Sequence, residues 1–236
     1  MAGRGTIRTG IGGWTFEPWE GSFYPDDLPK KRQLEYAASK LRTIEVNGTF
    51  YRSQKPETFA KWASEAPEGF VFSLKAPRYA VNRKVLAEGG ESVQRFVDSG
   101  IAELGDKLGP LLWQLAATKQ FDPDDFGAFL KLLPSKAGGI ALRNVVELRH
   151  ESFACPQAVQ MCREAGVAIV YAESADYPEI ADVTADFVYA RLQKGDAGIA
   201  TGYPADALDA WAERARQWAS GGQPADLPRH DPETVA

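Results

Sequence analysis

Cysteine and histidine are scarce in this chain, two of each among 236 residues, and their scarcity excludes several chemistries. Cys155 and Cys162 fall on one expected helix, where they share a face but sit too far apart for a disulfide. No second cysteine pair supplies zinc-finger spacing, so helix packing is their expected role. His150 and His230 are too few for a histidine-rich metal centre. Long apolar runs are missing as well: no segment reaches membrane-spanning length, and the opening MAGRGTIRTG lacks the apolar stretch of a signal peptide. With the unpaired cysteines, this sets the expectation of a soluble, cytoplasmic protein with no membrane partner. Neither sign of charge dominates. With 27 Lys and Arg against 32 Asp and Glu, the net charge of -5 argues against a surface that tracks duplex DNA. Nucleic acid is therefore a disfavoured partner, although a local basic site stays open. TGIGGW puts Thr15 where a dinucleotide fingerprint needs glycine, and no Walker-type Gly-Lys-Ser/Thr occurs, so no nucleotide cofactor is expected.

What the chain does have is strand and helix patterns in alternation. Strand-like segments recur as TIRTGIGG, TIEVNGTF, GFVFSLKA, PLLWQLA, NVVELRH, VAIVYAES and FVYARLQ. Helical stripes separate most of them: Leu34, Ala37, Ala38 and Leu41; Phe59, Trp62, Ala63 and Ala66; Val93, Phe96, Val97, Ile101 and Leu104; Phe126, Phe129, Leu130 and Leu133; the segment CPQAVQMCREAG; and Leu208, Trp211, Ala215 and Trp218. Such alternation, with no linker dividing it, is the sequence form of a parallel sheet covered by helices. It predicts one α/β domain.

A parallel sheet is normally buried on both faces, yet several strands carry polar residues on one parity. Glu45 and Asn47 share a face of TIEVN, opposite Ile44 and Val46. Lys75, Gln114, Glu147 with Arg149, and Arg191 stand late in other strands, on the parity read as inward. Polar groups gathered at the same end of several strands are how a closed barrel builds a site. His150 falls on the opposite parity and belongs to the rim. Two further features stay open between function and structure. Trp14, Phe16, Trp19, Phe23 and Tyr24 either line an entrance or plug the barrel mouth. Arg78, Arg83 and Lys84 in RYAVNRK either grip phosphate or form a solvated loop.

The motifs GGWTFEPWEGSFYP, EVNGTFYR, FSLKAPRY, GDKLGPLLWQL, ELRHESF and DFVYARL, in this order, resemble the DUF72 (YecE-like) family from about Ile7 to near Ala219. The resemblance implies a TIM-like (β/α) barrel and implies no particular reaction. Its recurrent polar positions fall here on Glu45, Asn47, Tyr51, Lys75, Gln114, Glu147, Arg149, His150 and Arg191. The chain departs from the family pattern where AVN follows KAPRY in place of a Thr-His pair, where Gln193 stands in place of a His, and where GGQPADLPRHDPETVA replaces an eighth strand. The expected architecture is thus a seven-strand TIM-like barrel over residues 1–220 and an irregular tail over 221–236. The tail is expected to be mobile and dispensable, and the helix carrying Trp211 and Trp218 to cover exposed strand edges.

The functional expectation is a hydrolase or lyase acting on an anionic small molecule, a phosphate ester or sugar-type ligand, without cofactor or metal. Glu45, Lys75, Glu147 and His150 are its acid–base candidates. Asn47, Tyr51, Gln114, Arg149, Arg191, Trp14 and Arg78 are the candidates for substrate binding, the arginines being suited to bidentate contacts with an anion. Two alternatives stay open: a divalent-metal-dependent phosphoesterase or isomerase-like barrel using Glu45, Glu147 and Glu173, and a non-catalytic ligand- or nucleic-acid-binding protein.

Overall fold

The computed structural model of the chain describes residues 5–232. Its strands are β1 (Gly10–Gly12), β2 (Thr43–Val46), β3 (Val71–Lys75), β4 (Leu108–Gln114), β5 (Lys136–Ala137), β6 (Ile140–Ala141), β7 (Asn144–Glu147), β8 (Ala168–Glu173) and β9 (Tyr189–Leu192). Seven of them form one sheet in the order β1-β2-β3-β4-β7-β8-β9, while β5 and β6 make a separate antiparallel pair. The pairings β1–β2, β2–β3, β3–β4, β7–β8 and β8–β9 are all parallel. Parallel strands taken in chain order, with helices between most of them, give the topology of the TIM-like barrel class. The seven strands lie in the seven segments expected from the sequence, and no eighth strand of that sheet occurs among the described residues. Nor is any helix among them long and apolar enough to cross a membrane.

By its contacts the chain divides into two compact units, one of Arg8–Trp113 with Leu132–Asn144, the other of residues 5–7, 114–131 and 145 onward. In the first, β2 and β3 lie side by side with Ile44 level with Phe72. Thr43 adds a side-chain bond to the Val71 carbonyl at 2.8 Å. The helix Pro56–Glu65 packs its buried Phe59 edge-on to Trp62, and Trp62 meets Phe72 of β3. Trp113 is fully buried, and its indole N–H, which would be costly to strand there, donates to Asn144 Oδ1 at 2.9 Å. One expected helix is broken. The apolar stripe from Val93 to Leu104 predicts one helix, but the chain forms Gly90–Val97 and then a 3-10 segment, Ile101–Lys107. Gly100 sits between them with φ 102°, and a Cβ there would lie 2.7 Å from Pro56 Cα. Only glycine permits both the left-handed turn and the close approach. The β5–β6 hairpin, also absent from the sequence reading, turns on Gly138 and Gly139, both with positive φ.

In the second unit, the helix Ala205–Ala219 lays Trp211 and Trp218 on Tyr171 of β8, at ring separations of 5.6 and 6.2 Å. Ala181 and Leu227 complete this core. The helix therefore covers the face of an internal strand, where the sequence reading had it covering a strand edge. A Tyr ring at the centre of β8 offers more apolar area to two indoles than a sheet edge does.

Residues 221–232 hold no helix or strand, but they are tied down. The Ala181 N–H donates to the Pro228 carbonyl at 2.9 Å, and buried Asp182 accepts the backbone N–H groups of His230 and Asp231 at 2.9 and 3.0 Å. Asp231 also pairs with Arg163 at 3.3 Å, and Arg214 with Asp226 at 2.6 Å. These contacts hold a tail that the sequence reading expects to be mobile and dispensable, as far as residue 232. Its last residues, 233–236, lie outside the described part. Asp182→Ala leaves two backbone donors without their carboxylate and should lower unfolding free energy by about 2 kcal/mol in urea titration; ending the chain at Gly222 should lower it further. Unchanged stability in both would mean that the tail does not contribute to the fold.

Candidate functional site

β7 is a four-residue strand, Asn-Val-Val-Glu, buried along its whole length. Its last residue, Glu147, is only 1% exposed. A carboxylate so placed requires partners, because an unpaired buried charge costs several kcal/mol. Three reach it. Arg149 Nε donates to Oε1 at 2.8 Å; Arg191 Nη1 and Gln114 Nε2 donate to Oε2 at 2.8 and 2.6 Å.

The strand register explains how residues from three strands meet. Val145 is level with Ala168, so Glu147 is level with Val170, and Val170 pairs with Tyr189 while Ala172 pairs with Arg191. Glu147 and Arg191 therefore share a face, two strand spacings and two residues apart, on the order of 12 Å at ordinary strand geometry. Arg191 reaches back across that distance to place Nη1 2.8 Å from Glu147 Oε2. Gln114 ends β4, and the Leu115 N–H bonds to the Glu147 carbonyl at 3.1 Å, which brings its amide alongside the carboxylate.

Arg149 is held from a second side. The Tyr177 ring lies under its guanidinium at 4.3 Å, with the phenol 3.4 Å from Nη1. Both arginines keep 19% of their side chains exposed while Glu147 is enclosed.

His150 lies next in the chain and has a local task. Its Nδ1 accepts the Ser152 N–H at 3.2 Å and lies 2.9 Å from Ser152 Oγ, capping the short turn Glu151–Phe153. An Nδ1 that accepts a backbone N–H carries no proton of its own, so the rim histidine is committed through that nitrogen to its loop. Glu173 ends β8 on the opposite parity to Ala172, the parity of Tyr171. It accepts the Tyr203 hydroxyl at 2.5 Å, and that hydroxyl accepts the Lys194 N–H at 2.9 Å. Glu147 and Glu173 thus serve different faces of the sheet. Among the described residues, no three His, Cys, Asp or Glu side chains gather closely enough to hold a metal ion.

In the other unit, Glu45 and Lys75 end or nearly end β2 and β3 and are 7% and 9% exposed. Asn47 opens the short helix Gly48–Tyr51. A Cβ built on Gly12 would lie 3.2 Å from Asn47 Nδ2 and 3.9 Å from Glu45 Oε1, so these two polar groups occupy the space that a side chain on β1 would fill. Lys75 Nζ stands 4.7 Å from the Phe50 ring centroid. Tyr51 is turned out, 74% exposed, edge-on to Phe50. Trp14 stacks edge-on against Trp62, and its carbonyl accepts the hydroxyl of buried Tyr24 at 2.6 Å; Phe16, Trp19, Phe23 and Tyr24 continue that aromatic cluster. Arg78 is exposed at the start of the helix Arg78–Val81. Arg83 from the same motif turns back onto the Tyr79 carbonyl and Ser92 Oγ, a local structural bond.

Tyr177 and Tyr203 were not singled out from the sequence. Each precedes a proline in a polar loop, and what gives them meaning is a partner far away in the chain. Burial first, and then the bond to Glu173, push the Tyr203 phenol up from its ordinary 10.0 to about 12. Its neutral form is therefore favoured in the fold. The resulting stability is fully present below pH 10 and is lost as pH rises toward about 12. Urea titrations across that window should show a steeper loss in the native chain than in Tyr203→Phe; parallel profiles would mean that the phenol does not bond Glu173.

Comparison with known proteins places the fold. A family model described as "Protein of unknown function DUF72" matches residues 8–234. YecE of Escherichia coli strain K12 is 29% identical over 120 residues, which are 51% of this chain and 42% of YecE. YunF of Bacillus subtilis strain 168 is 31% identical over 70 residues, 30% of this chain and 24% of YunF. Each match spans less than half the length of the curated relative. Among solved structures, a DUF72 family protein of Thermotoga maritima aligns with a TM-score of 0.66 at 22% identity, covering 86% of this chain and 84% of that one. One from Enterococcus faecalis aligns at 0.64 and 22%, covering 90% and 78%. At such identity, the likeness is one of fold.

Proposed function

The chain belongs to the DUF72 family, described only as of unknown function, so its own residues must carry the reading: we propose that it binds an anionic small molecule, a phosphate ester or acidic sugar-type ligand, and acts on it as a hydrolase or lyase. The observation that carries this is the pair Arg149 and Arg191, both fixed on one buried carboxylate with part of each side chain exposed. Guanidinium groups already oriented by Glu147 and Tyr177 lose little freedom on gripping an anion, and preorganisation of this kind favours binding. Glu147, saturated by three donors, serves as the scaffold of the grip and leaves the base role. Glu45 and Lys75 lie in the other unit and are given no part in this grip.

One observation favours a second reading, a binding protein without chemistry. Of the four acid–base candidates, Glu147 is committed to the arginines and His150 Nδ1 to its own turn.

Inorganic phosphate tests the grip. At about ten times its dissociation constant, it should raise the melting temperature by about 3–6 °C. Arg149→Ala with Arg191→Ala should abolish the rise; a rise that survives in the double variant would place the anion elsewhere. Product release from phosphate monoesters or acidic sugars supports the enzyme. Binding with no turnover across both classes would move the assignment to the second reading.

A further inference from the structure

Gln114 is the third donor on Glu147, and the direction of its amide can be derived. A carboxylate held by two arginines is ionised and can only accept hydrogen bonds. The Gln114 atom 2.6 Å from Glu147 Oε2 must therefore be the NH2 group, since the reverse orientation would set two acceptors against each other. That fixes Oε1 as the outward atom of the amide. Gln114 as a whole is 7% exposed, yet Oε1 has no hydrogen-bond donor among the described residues, and it is not sealed from solvent. A nearly buried side chain thus holds out an acceptor beside two guanidinium groups anchored on the same carboxylate.

We propose that Gln114 reads a hydroxyl group on the ligand, so that this site selects an anion with a hydroxyl close to its charged end, as in a hydroxy acid or a polyol phosphate. The inference rests on the anion grip proposed above and adds a specificity-determining residue to it. The exposed parts of the arginines suit acceptors on the ligand, and Gln114 Oε1 suits a donor. An anion such as acetate meets only the first demand. An anion with a neighbouring hydroxyl meets both, and a site built to bond a hydroxyl discriminates against analogues without one because its own buried polar atom is left unpaired.

The test compares glycolate with acetate and with methoxyacetate, and glycerol 3-phosphate with methyl phosphate, by isothermal titration calorimetry on the full chain. Glycolate should bind about tenfold more tightly than acetate or methoxyacetate, and glycerol 3-phosphate about tenfold more tightly than methyl phosphate. Whichever pair binds more tightly identifies the anion as carboxylate or phosphate. In Gln114→Met, which also removes one donor from Glu147, the preference within each pair should vanish whatever the change in overall anion affinity. Equal affinity within both pairs in the native chain overturns the role of Gln114 and leaves the anion grip standing. Absence of binding by all five ligands overturns both. The native comparison needs no variant, so it decides the matter even where Gln114→Met fails to fold.

Discussion

The site depends on the burial of one carboxylate. Glu147 stands at the end of a strand with no exposed residue, and a charge there is tolerable only while its acceptor positions are filled by well-aimed donors. Three donors come from three places in the chain: the end of β4, the loop after β7 and the middle of β9. Other features follow from this. Arg149 and Arg191 stand on a fixed base with part of each side chain exposed, and the Gln114 amide has one allowed orientation. Replacing the whole group with apolar side chains would often be as stable or more so.

The fold delivers this arrangement through period and register. In parallel strands, level residues share a face, so one parity rule applied to β7, β8 and β9 aligns Glu147, Ala172 and Arg191. The opposite parity carries Tyr171 and Glu173, which face the helix Ala205–Ala219 and the loop ending at Tyr203. One strand thus supplies core packing on one side and lies between Glu147 and Arg191 on the other. The tail, held by Asp182, adds Leu227 to the same core and keeps the outer side of this unit closed.

Much of this was readable in the sequence because it follows from alternation. Polar residues on the inward parity of strands otherwise rich in Val, Ile and Leu marked Gln114, Glu147, Arg149 and Arg191 without further knowledge. What alternation does not show is which groups a buried residue bonds, so it marked Glu147 as a base candidate without revealing the three donors on its carboxylate. His150 read as an acid because its chemistry suits one, although the nearby Ser152 offered a local cap for its ring. Gly100 broke a helix whose apolar stripe ran unbroken, since the clash with Pro56 involves residues distant in the chain. The Gly138–Gly139 turn, by contrast, was a local signal and could have been read. Tyr177, Tyr203 and Asp182 were not legible, because each acts through a partner that only the folded chain brings near.

The claim that Glu147 organises the arginines is tested most directly by a double-mutant cycle on unfolding free energy with Glu147→Gln and Arg191→Met. Each single change breaks a buried pair and leaves a partner uncompensated, whereas the double change removes both charges at once. The account predicts that the double variant is at least as stable as Glu147→Gln alone, with a coupling of about 1–3 kcal/mol. Losses that simply add would contradict it, since Arg191 would then owe nothing to Glu147.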